Sequence, residues 1–435
     1  MSALSAVLER VLGIVGEGHL LTDTAAVGEH AVDGQTPLAV AFPGTAEEVA
    51  ALLRAAGEAK LSVLLRGAGH HLYLGAPAGP IGLVVCLTRL DQVVEYDAGD
   101  LTITAQAGMP LSALQQLVGK RGQMLPLDPP GPESATLGGM LAANLSGPMR
   151  MRYGAPRDLL LGTRVALTTG ELIKTGGRTV KNVAGYDLTK LLIGSLGTVG
   201  AMVELTLRLV PAPEQRAVML AALPAERAMK VASGVASSAW EMSACAVVNQ
   251  AGTIRLRPYL PAVERRDAYA VCAGLSGSPE AVARQEREVI SLVGGGAARL
   301  DGVDADRVWQ RVRGLAYPTG AEAVLLRVGV LPSAVGDTLR LLSYQPGWSA
   351  VAQVGDGIVY AAPMQETDIM SVKKAVAAIR RAGEEAGGFA VLESAPVSLK
   401  REVGVWGEGI RNADLMRKLK SAYDPAGVLG CGRLV

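Results

Sequence analysis

Hydrophobic spacing divides the chain into two halves with different rhythms. After Thr45, Glu47 and Glu48, the apolar residues Val49, Leu52, Leu53 and Ala56 recur at helical intervals, which predicts a capped helix. Residues 62–65 form a short apolar run that predicts a strand, so residues 66–75 are the loop leaving it. Residues 82–87 and 101–105 predict a strand pair, and PLSALQQLVGKRG predicts a helix opening near Pro110. Thr136 can cap a short helix whose Gly138, Gly139, Ala142 and Ala143 leave one face almost without side-chain bulk. The half ends on an alternating strand (Val203, Leu205, Leu207, Leu209) stopped by Pro211 and Pro213.

Beyond Pro213 the glycine clusters thin out. The pattern predicts a strand at 217–223, a helix at 225–237, a hairpin of 243–249 with 253–258, a helix at 279–293 and a strand near 297–300. The same order returns as strand 323–330, helix 332–344, strands 349–354 and 358–361, helix 367–386 and strand 389–392. Each unit is βαββαβ, the ferredoxin-like pattern, and two copies side by side predict one antiparallel sheet with helices on one face. The segment from Trp406, with Arg411, Arg417, Lys418 and Lys420 on a helix, is expected to return to the first half. The expected class is α+β, with a first domain at 1–213, a cap of duplicated ferredoxin-like units at 214–405 and a returning segment at 406–435.

Composition narrows the function classes. With 49% hydrophobic and 19% charged residues among 435, the chain is too apolar to be disordered. A net charge of +1 gives no general polyanion-binding surface, and two Phe and four Trp make base-stacking platforms for nucleic acid unexpected. Cys86, Cys245, Cys272 and Cys431 are scattered without C-x-x-C spacing, which argues against a zinc site or an iron–sulfur cluster and suits a reducing compartment. No metal is expected. No apolar run approaches the roughly 18 residues of a spanning helix, and the first residues lack the pattern of a secretory signal. A cytoplasmic protein is expected, one that reaches a membrane only through partners.

The candidate chemistry sits on glycines. In RGAGHHLYLG, Gly67, Ala68 and Gly69 allow successive backbone N–H groups to converge on a phosphate, and Arg66 can add a charge-assisted bond. A plain glycine turn accounts for this loop equally well, and no G-x-G-x-x-G opens a helix after a strand. The shaved helix after Thr136 can receive something flat or can serve dense helix packing, and its DPPGP and SGP flanks place it beside irregular backbone.

Four ordered blocks, RGAGHHLYLG, PPGPESATLGGMLAANLSGP, RYGAPRDLLLG and VKNVAGYDLTKLLIGSLGTVG, resemble the FAD-binding half of the vanillyl-alcohol oxidase/PCMH flavoproteins. PLDPPGP, VKNVAGYDL and the late LESAP and VWGEG look most like the FAD-binding E subunit of bacterial glycolate oxidase. The resemblance is dense over residues 36–213 and thin elsewhere. It implies a PCMH-type two-part FAD-binding domain in an FAD-dependent oxidoreductase. Arg66, Gly67, Ala68, Gly69, His70 and His71 would cradle the pyrophosphate. Ser134, Thr136, Gly138, Gly139, Asn144, Gly147, Tyr153, Gly154, Gly200 and Met202 would line the flavin. At the C-terminus, where relatives carry an Asn-Pro-Gly-Arg turn, Gly430 and Cys431 replace the Asn-Pro pair and Arg433 is kept. Some relatives link the flavin covalently through a histidine at the position of His70, and non-covalent FAD is the default expectation here.

The four histidines, His19, His30, His70 and His71, all precede residue 72. Relatives that dehydrogenate 2-hydroxy acids place a histidine motif and a metal-binding histidine pair in the second half, so neither can exist here. Tyr259, Glu322 and Glu393 are conceivable bases, though each such residue is more often structural, and Arg255, Arg257 and Arg327 are conceivable carboxylate forks, equally readable as solvated strand faces or interface pairs. No catalytic residue is assigned. The resemblance then implies an FAD-binding subunit of a glycolate oxidase-like 2-hydroxy-acid dehydrogenase complex. A catalytic FAD subunit would oxidise the acid and an iron–sulfur subunit would carry electrons onward. The alternatives are a self-sufficient FAD-dependent 2-hydroxy-acid dehydrogenase and a non-catalytic scaffold.

Overall fold

The structure is a computed structural model and describes residues 3–177, 187–260, 268–320, 322–343, 345, 347–365, 367–407 and 412–434. Arg411, Tyr344, the stretch 180–186 of VKNVAGYDL and the last two residues of VWGEG lie outside the described residues.

The helix expected after Thr45 spans Ala46–Glu58. Thr45 Oγ1 accepts from the Glu48 N–H at 3.1 Å, and Glu48 Oε2 accepts from the Gly44 N–H at 2.7 Å, so two orphan donors at the helix start are satisfied. The helix is the crossover joining two parallel strands, Ala39–Ala41 and Val63–Arg66, on either side of a third, Leu83–Cys86. These strands are apolar runs because both faces are covered. Here the sequence expectation fails: the strand at 83–86 does not pair with its successor. Thr102–Gln106 instead joins a separate antiparallel sheet in the order Val93–Asp97, Thr102–Gln106, Ala201–Arg208, Leu160–Ala166, Leu172–Gly176. Hydrophobic runs specify a strand but not its neighbour, and a β-run buried on both faces pairs equally well in either sheet. In Ala201–Arg208, Val203, Leu205 and Leu207 are buried while Glu204, Thr206 and Arg208 are partly exposed, as the alternation predicts.

The second half is the duplicated unit. Strands Gln215–Pro224, Ala244–Val248, Ala268–Gly277 and Ala298–Asp301 lie in the order fourth, first, third, second. Strands Leu325–Gly329, Trp348–Gln353, Ile358–Pro363 and Phe389–Ser394 repeat that order. The units join edge to edge where Ala246, Val247 and Val248 pair with Gln353, Ala352 and Val351, giving one eight-stranded antiparallel sheet.

Two expectations need correction. Residues 253–258 are not a strand: Gly252–Arg255 is a 3-10 turn, and the true hairpin partner of Ala244–Val248 is Ala268–Gly277. Nor do all helices share one face. Helices Ala225–Ala236, Pro279–Val293, Val335–Ser343 and Ile369–Glu385 pack on one side, in a core with Val231, Val289, Leu339 and Ile379. A further helix, Gly302–Gly314, packs Ala305, Val308 and Val312 on the other side, towards the first half. Near the chain's end, Lys420 Nζ donates to Thr198 O at 3.1 Å and Leu429 bridges to Val63.

Candidate active site

The loop leaving Val63–Arg66 lies at the carboxyl end of the parallel strands, where side chains and amides are free of the sheet ladder. It faces the helix Leu137–Ala142 of the second sheet's lobe. Between them runs a cleft enclosing about 850 Å³, counting its open mouth. Arg66, Gly67, Ala68, Gly69, His70 and His71 line one wall, and Thr136, Gly138, Gly139, Gly200 and Met202 line the other, with Arg433 at one end. The lobes touch where Gly67 meets the cap of that helix: a Cβ on Gly67 would fall 2.0 Å from Thr136 Oγ1, which accepts from the Gly139 N–H at 3.3 Å. Gly69 has φ +86°, open to glycine alone without strain, and the Arg66 guanidinium lies against it.

Two adjacent glycines differ in what their missing side chains leave. A Cβ on Gly138 would press on Ala107 at 2.8 Å, so that glycine is a packing requirement. A Cβ on Gly139 would meet only Thr136 Oγ1, at 3.0 Å, so that glycine keeps the cleft open.

The other sequence candidates sit outside this cleft. Ser134 Oγ is bonded to His70 Nε2 at 2.8 Å, which holds the loop to the opposite lobe. Asn144 sits just past the helix with φ +52°, against Gly194. Gly147 is pressed on Asp128, whose carbonyl would lie 1.9 Å from a Cβ there. Gly154 lies against the Asp158 carboxylate, and Tyr153 lines a second cleft. Of the cap candidates, Arg255, Arg257 and Glu322 are exposed, Tyr259 lies under the Arg311 guanidinium, and Arg327 Nε donates to Glu393. None of these lines either cleft.

The second cleft, about 2180 Å³ with its mouth, opens between the first lobe pair and the cap. The segment Asp128–Glu133 lines this second cleft; its Pro130 O is bonded to His71 Nε2 at 3.2 Å, and Tyr317 of the cap donates to His70 O at 2.9 Å, so the two clefts adjoin at the His70–His71 loop. Burial pulls the His71 imidazole down to about 4, so it is neutral near pH 7. Sequence reasoning missed the residues that give this cleft its chemistry. Asp128 is buried, and desolvation pushes its carboxyl up to about 7, against the pull of the Arg313 cation and the Met149 N–H at 3.2 Å. Arg313, from the overlooked helix Gly302–Gly314, lines the cleft and has no ion-pair partner among the described residues. The helix was detectable from Ala305, Val308 and Val312 at helical spacing, but its polar remainder reads as a linker.

A dinucleotide fits the first cleft on direct grounds. The amide N–H groups of Ala68, Gly69, His70 and His71 line it and, among the described residues, donate to no protein acceptor. Unpaired amides converging beside an arginine are a site for a pyrophosphate. The opposite wall is free of bulk at Gly139 and could receive a flat ring system. Residues 37–176 match the family described as FAD binding domain. They are an FAD-binding domain, and FAD is the cofactor. The fold is PCMH-type: p-cresol methylhydroxylase superposes with a TM-score of 0.70 over 99% of this chain and 96% of its own, at 13% identity. D-2-hydroxyglutarate dehydrogenase of Xanthomonas citri pv. viticola is 29% identical over 423 residues, covering 92% of this chain and 89% of the relative. Glycolate oxidase subunit GlcE of Escherichia coli is 40% identical over 155 residues, 35% of this chain and 44% of that subunit. These relatives are hydroxy-acid oxidising enzymes or subunits by name, and they do not distinguish the E subunit from the others. Among the described residues no helix is long and apolar enough to cross a membrane.

Proposed function

We propose that this chain dehydrogenates a small 2-hydroxy acid at its own FAD and works as the flavin subunit of a glycolate oxidase-like assembly. The observation that carries the first part is that an Arg313 cation without an ion-pair partner and the Asp128 carboxyl line the same cleft. A 2-hydroxy acid needs a cation for its carboxylate and a group that can take its hydroxyl proton near neutral pH. Arg313, unpaired in a cleft, supplies the first through a bidentate fork. Asp128, raised to about 7, supplies the second once it is ionised. Bound FAD supplies the two-electron acceptor for the hydride from the substrate carbon. The Asp128 carboxylate takes the hydroxyl proton as the carbonyl forms, so the products are a 2-oxo acid and reduced cofactor.

The subunit role is supported by the likeness to GlcE and by the absence of any histidine after residue 71. A catalytic FAD subunit and an iron–sulfur subunit would then be its partners. One experiment separates these readings: anaerobic mixing of the FAD-loaded chain with a panel of 2-hydroxy acids, alone and with the two partner subunits. Bleaching of the flavin by the chain alone supports the active-site reading and leaves the partners as electron acceptors. Bleaching only with the partners keeps the subunit role and removes Arg313 and Asp128 from catalysis. A flavin that dithionite reduces but no acid reduces in either setting overturns both.

A further inference from the structure

Four successive carbonyls of the loop that follows the glycines end on two buried cations. Arg433 Nη2 donates to Leu72 O and Leu74 O. Lys400 Nζ donates to Tyr73 O and, at 3.2 Å, to Gly75 O. The two arrive from different parts of the chain: Arg433 from the C-terminal turn, Lys400 from the helix Val397–Val403 that follows the last cap strand. Each is only 2% exposed. Arg433 is neutralised by Asp33 at 2.9 Å, and its own carbonyl accepts from the Ala76 N–H at 2.8 Å. Lys400 has no ion-pair partner among the described residues, so its buried charge rests on carbonyl oxygens. An ammonium buried without a counter-ion is costly and is retained where its charge serves something nearby. What lies nearby is the run of unpaired amides at 68–71.

We propose that Lys400 is a positioning residue for the cofactor: its charge, fixed on the 73 and 75 carbonyls, holds the loop in the conformation that keeps its amides free for the FAD pyrophosphate. Lys400 does not line the cofactor cleft, so it acts through the loop. Because it sits on the segment leaving the cap, seating of the cap and retention of FAD become one event. This rests on the cofactor alone and not on the substrate reading above.

The titratable groups that act on Lys400 are Asp33, Arg433 and Glu393, and its Tyr73 contact is to the backbone carbonyl. Burial draws Lys400 down to about 8, aided by Arg433 and opposed by Asp33 and Glu393, while burial pushes Tyr73 well above the usual phenol range. Lys400 is thus the group in this cluster that loses charge as pH rises through about 8.

The test is the FAD dissociation constant of the reconstituted chain from about pH 7 to about pH 9.5, with the melting temperature of each apo-protein. Wild type should bind FAD more weakly as pH rises across that range. Lys400→Met should bind about tenfold more weakly at pH 7 and show a flat profile. Lys400→Arg should restore tight binding and keep it at alkaline pH, since a guanidinium does not titrate there. A Lys400→Met apo-protein that melts like wild type and binds FAD equally well overturns the proposal. If that variant does not fold, the wild-type profile decides: affinity independent of pH across the range overturns it.

Discussion

The cofactor cleft and the second cleft do their recognition with different materials. The first is walled by backbone amides and by residues with almost no side chain, such as Gly67, Gly69 and Gly139. The second is walled by long side chains carried on elements far apart in sequence, with Asp128 in the first half and Arg313 on a cap helix. A backbone site is a property of one contiguous string and tolerates no added bulk. A side-chain site is assembled by the tertiary fold and tolerates changes of size, but not of charge.

The largest effect is expected at Gly139. Gly139→Leu should abolish FAD retention while the apo-protein keeps its melting temperature, because the added side chain enters the cleft and not the core. Gly138→Val should do the reverse first, lowering stability by about 1–3 kcal/mol through its collision with Ala107. If both variants lose FAD and stability together, the two glycines are equivalent and the cleft is misplaced.

Next comes Arg313. Arg313→Met should leave FAD bound and raise the concentration of 2-hydroxy acid needed for half-maximal flavin reduction about a hundredfold, the value of a charged bidentate contact. Titration of reduction rate against substrate checks this, and loss of FAD in the variant would show that the second cleft is not separate from the first.

Asp128 gives a pH signature of opposite sign in stability and activity. Its folded pKa, about 7, lies above the ordinary carboxylate value, so between about pH 4 and about pH 7 the folded state holds a proton that the unfolded chain has released. Stability from this group is therefore present below the unfolded value and lost as pH rises through about 7, while flavin reduction rises over the same interval as the base ionises. Asp128→Asn should melt several degrees higher than wild type above that range, match it at low pH and lose the rate. Melting curves and stopped-flow traces across pH check the pair of slopes.

The smallest effect concerns the helix cap. Thr136→Ala removes the hydroxyl that accepts from Gly139 and touches Gly67, and should cost about 1 kcal/mol of stability with a modest loss of FAD affinity.

The same contrast explains what could be read from the chain before its fold was known. Glycine runs and the Thr136 cap are local, so the 66–71 loop and the 137–142 helix that wall the first cleft could be read from the chain, while Ser134, Asn144, Gly147, Tyr153 and Gly154 do not line it. The duplicated βαββαβ order was legible because each unit repeats one pattern of element lengths. Pairing was not: the strand at 83–86 carries no mark of whether its neighbour is 63–66 or 102–106, since partner choice is set by crossover geometry. Lys400 looks like any surface lysine on a short helix, and only the fold buries it. Asp128 reads as part of a proline turn, and its raised pKa arises from burial that no local spacing encodes.

In the proposed reading, the second cleft lies against the flavin and receives a 2-hydroxy carboxylate through Arg313. The most direct measurement is the visible difference spectrum of the FAD-loaded chain on titration with oxalate, an unreactive mimic of the ionised substrate. A saturable perturbation of the flavin band near about 450 nm that disappears in Arg313→Met is expected. A flat difference spectrum in wild type, or a perturbation unchanged in the variant, would contradict it.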